Sequence, residues 1–381
     1  MFKETVEFIR SIFKQQDAFI PLHEPRFIGK EKEYVMDCID STFVSSVGKY
    51  VNLFEEKIKS YTGAKYAIAT SNGTLALHTA LLLSDIKQDE LVITQPLTFI
   101  STCNAISYVG AQPLFIDIDP KTLGLSHEKL AEFLKDKTII KDNGKCYHID
   151  SGKRIAACIP MHTFGHPVAI ETIASLCADH GIALIEDAAE SIGSTFKGKQ
   201  TGRFGLLGIY SFNGNKTITC GGGGIIITDD ERLGKMAKHL TTQAKIPHPW
   251  NFEHDYVGYN YRLPNLNAAM ACAQMEQLEE FIKNKRALAE IYQNFFNSTD
   301  ITFFTEPAHS KSNYWLNAII LKDEKERDKF LKFSNDQGVM TRPCWTLMNK
   351  LKMFEHCTTE NIENSLWIEE RLVNIPSSVR I

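Results

Sequence analysis

Short runs of β-branched and aliphatic residues alternate with longer segments of helical period through the first two thirds of the chain. The runs at 66–70 (YAIAT), 90–94 (ELVIT), 112–117 (QPLFID), 154–160 (RIAACIP), 182–187 (IALIED), 207–212 (LGIYSF) and 224–228 (GIIIT) read as strands. Helices are predicted over 74–84, 99–109, 120–136, 168–180 and 230–241, with a glycine-containing loop at 188–206. This alternation predicts a mostly parallel α/β sheet covered by helices on both faces. The first residues, MFKETVEFIRSIF, read as an amphipathic helix. Past residue 250 a Pro/Trp/aromatic stretch gives way to one long helical segment, from 267 to about 296, leading into a smaller α+β region. The expected organisation is a large domain over 1–250, N-terminal helical segment included, and a small C-terminal domain over 251–381 with the long helix as link.

A length of 381 residues suits two domains better than one core. The formal net charge of -4 argues against a dedicated nucleic-acid binder. Nine cysteines are scattered without a CxxC pair or metal-ligand spacing, as small buried hydrophobes in a reducing compartment would be. No apolar run reaches the roughly 18 to 20 residues that cross a bilayer, and the N-terminus lacks the apolar core of a signal peptide. The expected location is the cytoplasm, with no membrane partner and no metal.

Ligands of open α/β sheets gather at the carboxyl ends of strands, and three polar clusters fall there. Ser71-Asn72-Gly73-Thr74 joins a strand to a helix, and backbone N–H groups at a helix start attract a phosphate, though an ordinary N-cap has the same look. Glu186-Asp187-Ala188-Ala189-Glu190 closes another strand, where a carboxylate is able to hold a cationic heteroaromatic nitrogen. Ser211 to Lys216 ends a third, followed by glycines 221–224; a lysine so placed suits an imine-forming nucleophile. A P-loop is excluded, because its glycines precede the lysine, and no GxGxxG follows the first strand.

The segments SNGTLALHTAL, QPLTFISTCNAI, IEDAAESIGS, SFNGNKTITCGGGG and GYNYRLPNLNAAM resemble the DegT/DnrJ/EryC1/StrS sugar aminotransferases. The resemblance implies the pyridoxal-phosphate (PLP) fold type I. It assigns Lys216 to the Schiff base, Gly73, Thr74 and Ser211 to the phosphate, and Phe99 to the face of the pyridine ring. Asp187 would pair with the pyridine nitrogen and Glu190 would approach the phenolic oxygen. Asn260 would reach the phosphate of a neighbouring subunit, which implies a homodimer with shared sites. Many relatives carry glutamine where this chain has Glu190, and GEGG where it has four glycines.

Transamination would then run from L-glutamate to a nucleotide-linked ketosugar by ping-pong kinetics. The segments FIPLHEPRFIGKEKEYVMDCIDSTFVSSVGKYVNLFE, TTQAKIPHPWNFEHD and MTRPCWTLMNKLKMF look like the LegC-type subgroup. That likeness implies 4-amination of a UDP-linked 4-keto-6-deoxy-N-acetylglucosamine for bacillosamine or legionaminic acid. His162, Lys245, His248, Arg262 and Arg342 are candidate substrate contacts. The alternatives are 3-amination of a dTDP-ketosugar, GDP-perosamine synthesis, and, from another class, a PLP-binding regulator without turnover.

Overall fold

A computed structural model describes residues 2–380. Its main sheet has seven strands: β1 (Tyr66–Thr70), β2 (Leu91–Thr94), β3 (Gln112–Phe115), β4 (Ile155–Ile159), β5 (Ala183–Asp187), β6 (Leu207–Ser211) and β7 (Gly224–Thr228). The order is β1-β7-β6-β5-β4-β2-β3. All neighbours are parallel except those of β7, which runs against β1 and β6. The unbroken apolar runs have a direct cause: Ile226 enters the cluster on one face, while Ile225 and Ile227 enter the cluster on the other. A strand clothed on both sides has no polar positions to alternate.

The N-terminal helices are α1 (Phe2–Phe13), α2 (Glu31–Asp40) and α3 (Lys49–Thr62). On the sheet lie α4 (Gly73–Leu83), α5 (Ile100–Tyr108), α6 (His127–Lys137), α7 (Ile170–Asp179) and α8 (Glu231–Thr241). Helix α6 starts later than its sequence suggests, because Ser126 caps it, accepting from the Lys129 N–H at 3.2 Å. The 188–206 loop also holds a small hairpin, Thr195–Phe196 against Lys199–Gln200.

The long helix expected from 267 to 296 is two helices, α9 (Asn265–Met275) and α10 (Leu278–Phe296). The chain breaks where the Gln274 and Gln277 amides both donate to the buried Glu31 carboxylate, at 2.6 and 2.8 Å. Helix α9 packs with α2 and α3 in the core of the large sheet, on the other side of the expected boundary at 250. Helix α1 departs in the opposite sense. Its Val6 and Ile9 enter the C-terminal cluster with Leu288, Tyr292 and Phe330, and Phe8 stacks on Phe295 at 3.9 Å. Sequence neighbours of α1 are therefore not its packing neighbours. The C-terminal sheet is antiparallel, with β8 (Thr302–Phe303), β9 (Asn317–Ile320), β10 (Arg342–Pro343) and β11 (Leu372–Ile375) in the order β8-β9-β11-β10, flanked by α11 (Glu324–Asp336) and α12 (Glu363–Glu369). No helix among the described residues is long and apolar enough to cross a membrane.

Candidate active site

The antiparallel strand β7 assembles one wall of the site. Its Gly224 stands opposite both Thr70 of β1 and Ser211 of β6, so the turn after β1 and the end of β6 meet. The approach leaves no room for a side chain at Gly224, where a Cβ would lie 2.4 Å from the Asn72 backbone, and a Cβ on Gly73 would crowd Ser211 Cβ at 3.0 Å. Asn72 then caps α4, its Oδ1 accepting from the Leu75 N–H at 3.0 Å. Gly73 and Thr74 open that helix, and the Thr74 hydroxyl donates to Ser101 Oγ at 3.0 Å.

Asp187 ends the parallel strand β5 and is almost wholly buried. Its Oδ2 accepts from the Thr102 hydroxyl at 2.7 Å and its Oδ1 from the Ala189 N–H at 3.2 Å. Burial raises its pKa against these two bonds and the nearby Lys216 charge. Glu190 lies one turn further on. Its Oε2 accepts from the Phe164 N–H at 2.9 Å, and its Oε1 from Lys216 Nζ at 3.1 Å. Burial pushes the Glu190 carboxyl up to about 7, opposed mainly by the Lys216 charge.

These groups share a cavity of about 370 Å³ with Phe99, Met161, Trp315 and Trp345. Phe99 is 45% exposed, a large share for so apolar a residue, and its ring stands edge-on to Trp345 at 5.9 Å. Gly73, Thr74, Phe99, Asp187, Glu190, Ser211 and Lys216, separated widely in sequence, thus line one space.

The other expected contacts lie elsewhere. His162 does not border the cavity. It is fully buried, with Nδ1 accepting from the Val168 N–H at 3.2 Å, so that Nε2 carries the proton facing Glu186 Oε2 at 3.1 Å. The residue before it, Met161, takes the cavity face. Arg342 is exposed on β10, bonded to Asn335 Oδ1 at 3.0 Å and the Thr341 carbonyl at 2.9 Å. Lys245, His248 and Arg262 line a separate open groove with Ser46 and Thr242. Asn260 is exposed beside that groove, its Oδ1 accepting from Arg262 Nε at 3.0 Å. Sequence reasoning passed over Trp315 and Trp345, whose one available signal was rarity: the chain has only four tryptophans.

The chemistry of the cavity fits PLP. A buried carboxylate whose partners are a neutral hydroxyl and an amide suits a protonated pyridine nitrogen. The glycine-led start of α4, with the Thr74 and Ser211 hydroxyls, suits a phosphate. Lys216 offers an amine of the kind that condenses with a carbonyl, with the Glu190 carboxyl 3.1 Å away.

One prediction follows from the Glu190 pKa. Its value near 7 in the fold exceeds the about 4.3 of an unfolded chain. The stability tied to the neutral acid is therefore fully present below about pH 4.3 and is lost as pH rises through about 7. Glu190→Gln keeps the shape without the charge. Thermal melts of cofactor-free protein should show E190Q gaining on wild type between about pH 5 and pH 8; a constant difference would contradict a buried, titrating Glu190.

Comparison with known proteins agrees with the geometry. A GDP-perosamine synthase of Escherichia coli O157:H7 is 36% identical, over 94% of this chain and 93% of its own. One from Vibrio cholerae is 35% identical, over 94% of both. Among solved structures, the aminotransferase TlmJ of Streptoalloteichus hindustanus shares the fold with a TM-score of 0.86 at 24% identity, covering 94% of each chain. Helicobacter pylori PseC does so with a TM-score of 0.85 at 21% identity, again over 94% of each. The fold is thus that of the PLP-dependent aminotransferases of fold type I. The profile of the DegT/DnrJ/EryC1/StrS aminotransferase family matches residues 26–381, and this chain, a nucleotide-sugar aminotransferase with PLP as its cofactor, belongs to that family.

Proposed function

We propose that the enzyme transfers the amino group of L-glutamate to C4 of a GDP-linked 4-keto-6-deoxyhexose, giving GDP-perosamine or a close analogue. The observation that carries the transamination is the convergence of Lys216, Asp187, Glu190 and the start of α4 on one cavity. The GDP-linked 4-ketosugar is favoured by the GDP-perosamine synthases, similar over nearly the whole chain. It replaces the UDP-linked sugar as the leading substrate.

PLP, when bound, supplies a carbonyl that condenses with amines and a ring that accepts the charge left by a departing α-proton. The remaining tasks fall to the protein. The N–H groups that open α4, with the Thr74 and Ser211 hydroxyls, bind phosphate. Asp187 holds a proton at the ring nitrogen through a charge-assisted bond. Lys216 alternately holds and releases the transferred proton, with Glu190 Oε1 as its nearest carboxylate. The groove bearing Lys245, His248 and Arg262 offers two cationic side chains, Lys245 and Arg262, for a diphosphate. The groove and the cavity are lined by different residues of one chain, and a second copy would present the groove, with Asn260 beside it, to the neighbouring cavity.

A UDP-linked N-acetylated 4-ketosugar is the second reading, favoured by Trp345. This cavity residue sits in MTRPCWTLMNKLKMF, one of the segments that resembles the UDP-sugar subgroup. The test supplies L-glutamate with each ketosugar in turn and follows the aminosugar by mass. Higher kcat/KM for the GDP-linked substrate is expected, and preference for the UDP-linked one would reverse the order. Turnover of neither would remove the sugar assignment while leaving the glutamate half-reaction to be measured alone.

A further inference from the structure

Two different groups meet the Lys216 amine. One is the Glu190 carboxylate at 3.1 Å. The other is the indole of Trp315, whose ring centroid lies 4.0 Å from Nζ. The same indole donates its Nε1–H to the Asn215 carbonyl at 2.6 Å, immediately before Lys216 in the chain. Trp315 thus touches both the reactive end of the side chain and the turn from which it projects.

Trp315 is itself tightly held. Its N–H donates to Asn313 Oδ1 at 2.8 Å, and the Asn313 Nδ2 donates to the Glu190 and Ile192 carbonyls, both at 2.9 Å. Asn313 is fully buried, and its own N–H donates to Ser194 Oγ at 2.9 Å. Before it, the Ser312 hydroxyl donates to the Gly165 carbonyl at 2.9 Å, next to Phe164, whose N–H holds Glu190 Oε2. One four-residue segment from the C-terminal third therefore fixes the turns of both Glu190 and Lys216.

The chemistry of the indole face gives that contact a direction. An ammonium over an aromatic face is stabilised by the ring quadrupole, most strongly over tryptophan, whereas a neutral amine gains little. The other titratable groups around Lys216 are Glu190, Asp187 from β5 and His23 from the N-terminal segment. His23 adds no charge of its own: burial, then Lys285, Lys216 and Arg26, hold its pKa well below the usual value.

We propose that Trp315 is a positioning residue for Lys216, its ring face favouring the ammonium form of the free lysine and its Nε1–H fixing the lysine turn. The proposal rests on the reading of Lys216 as the group that holds and releases the transferred proton, because the share of ammonium sets how much acid and base are on hand. It concerns the free side chain alone, so it is testable without turnover.

The test is reductive methylation of Lys216 with formaldehyde and cyanoborohydride in full-length, cofactor-stripped protein, read by peptide mass spectrometry across pH. Circular dichroism verifies the fold of each variant. Trp315→Leu removes the ring face, and the pH midpoint of modification should fall by roughly 0.5 to 1 unit. Trp315→Phe keeps a ring but loses the Nε1–H; its midpoint should stay closer to that of wild type, while PLP binds several-fold more weakly. An unchanged midpoint in folded W315L would overturn the proposal, and so would a W315F midpoint displaced as far as that of W315L. Failure of wild type to form a borohydride-reducible adduct with PLP would instead reject the proposed reaction, leaving the midpoint comparison intact.

Discussion

Lys216→Arg is expected to lower turnover by roughly 10⁴-fold or more, the upper range for a lost proton-transfer group. Arginine keeps the positive charge and can still reach the Glu190 carboxylate and the Trp315 face that Lys216 touches at 3.1 and 4.0 Å. It cannot deprotonate near neutral pH, so it neither condenses with a carbonyl nor takes up a proton. PLP should still bind, because Asp187, Ser211 and the start of α4 are untouched, but borohydride should no longer fix it to the chain. Lys216→Ala should lose as much activity and regain some with added small amines, which replace the missing base but not its position. Near-normal rates in either variant would take Lys216 out of the reaction.

Asp187→Asn separates charge from shape. The amide fills the same buried space and offers an oxygen to the Thr102 hydroxyl, now at 2.7 Å from Oδ2, but its NH2 then faces the Ala189 N–H from which Oδ1 accepts at 3.2 Å. What it lacks is the negative charge that would keep a proton on the ring nitrogen of bound PLP. A kcat loss of about 10²- to 10³-fold is expected, the scale of removing one preorganised electrostatic contact, with KM for glutamate little changed. Stability should move the other way. Burial raises the Asp187 pKa, so its charged form is disfavoured in the cofactor-free fold, and that cost grows as pH rises above the unfolded value of about 3.9. Cofactor-free D187N should therefore gain on wild type in melting temperature as pH rises from about 4 toward neutral. Equal kcat in the two proteins would contradict the pairing of Asp187 with a ring cation.

The strands and the site residues at their ends were legible for one physical reason. Buried parallel strands read as continuous apolar runs, and the first polar residues after them fall at the sheet edge where ligands collect. The three polar clusters that hold Lys216, Asp187 and the Gly73-Thr74 turn stand out in this way, and the resemblance to the family singles out these residues within them. The antiparallel strand β7, which draws the Asn72 turn onto Ser211, has the same apolar texture as its parallel neighbours, so its direction left no mark in the pattern.

Long-range packing was less legible. Trp315 meets the lysine turn across 100 residues of sequence, and nothing local in NYWLNAII points to that contact. His162 and Met161 are adjacent, yet one faces Glu186 and the other the cavity, because a single residue of register after a strand decides the side. Helix α1 carries an apolar stripe that any apolar groove would satisfy; the structure places it against α10 rather than the sheet it precedes.

The most direct test of PLP chemistry at Lys216 is the absorbance spectrum of the pure protein with PLP, before and after L-glutamate, beside Lys216→Arg. Wild type should show the band of a lysine-bound chromophore, and glutamate should bleach it toward the amine form of the cofactor, while K216R shows only the unlinked cofactor. A wild-type spectrum identical to that of K216R, unmoved by glutamate, would contradict the role given to Lys216 and, with it, the proposed reaction.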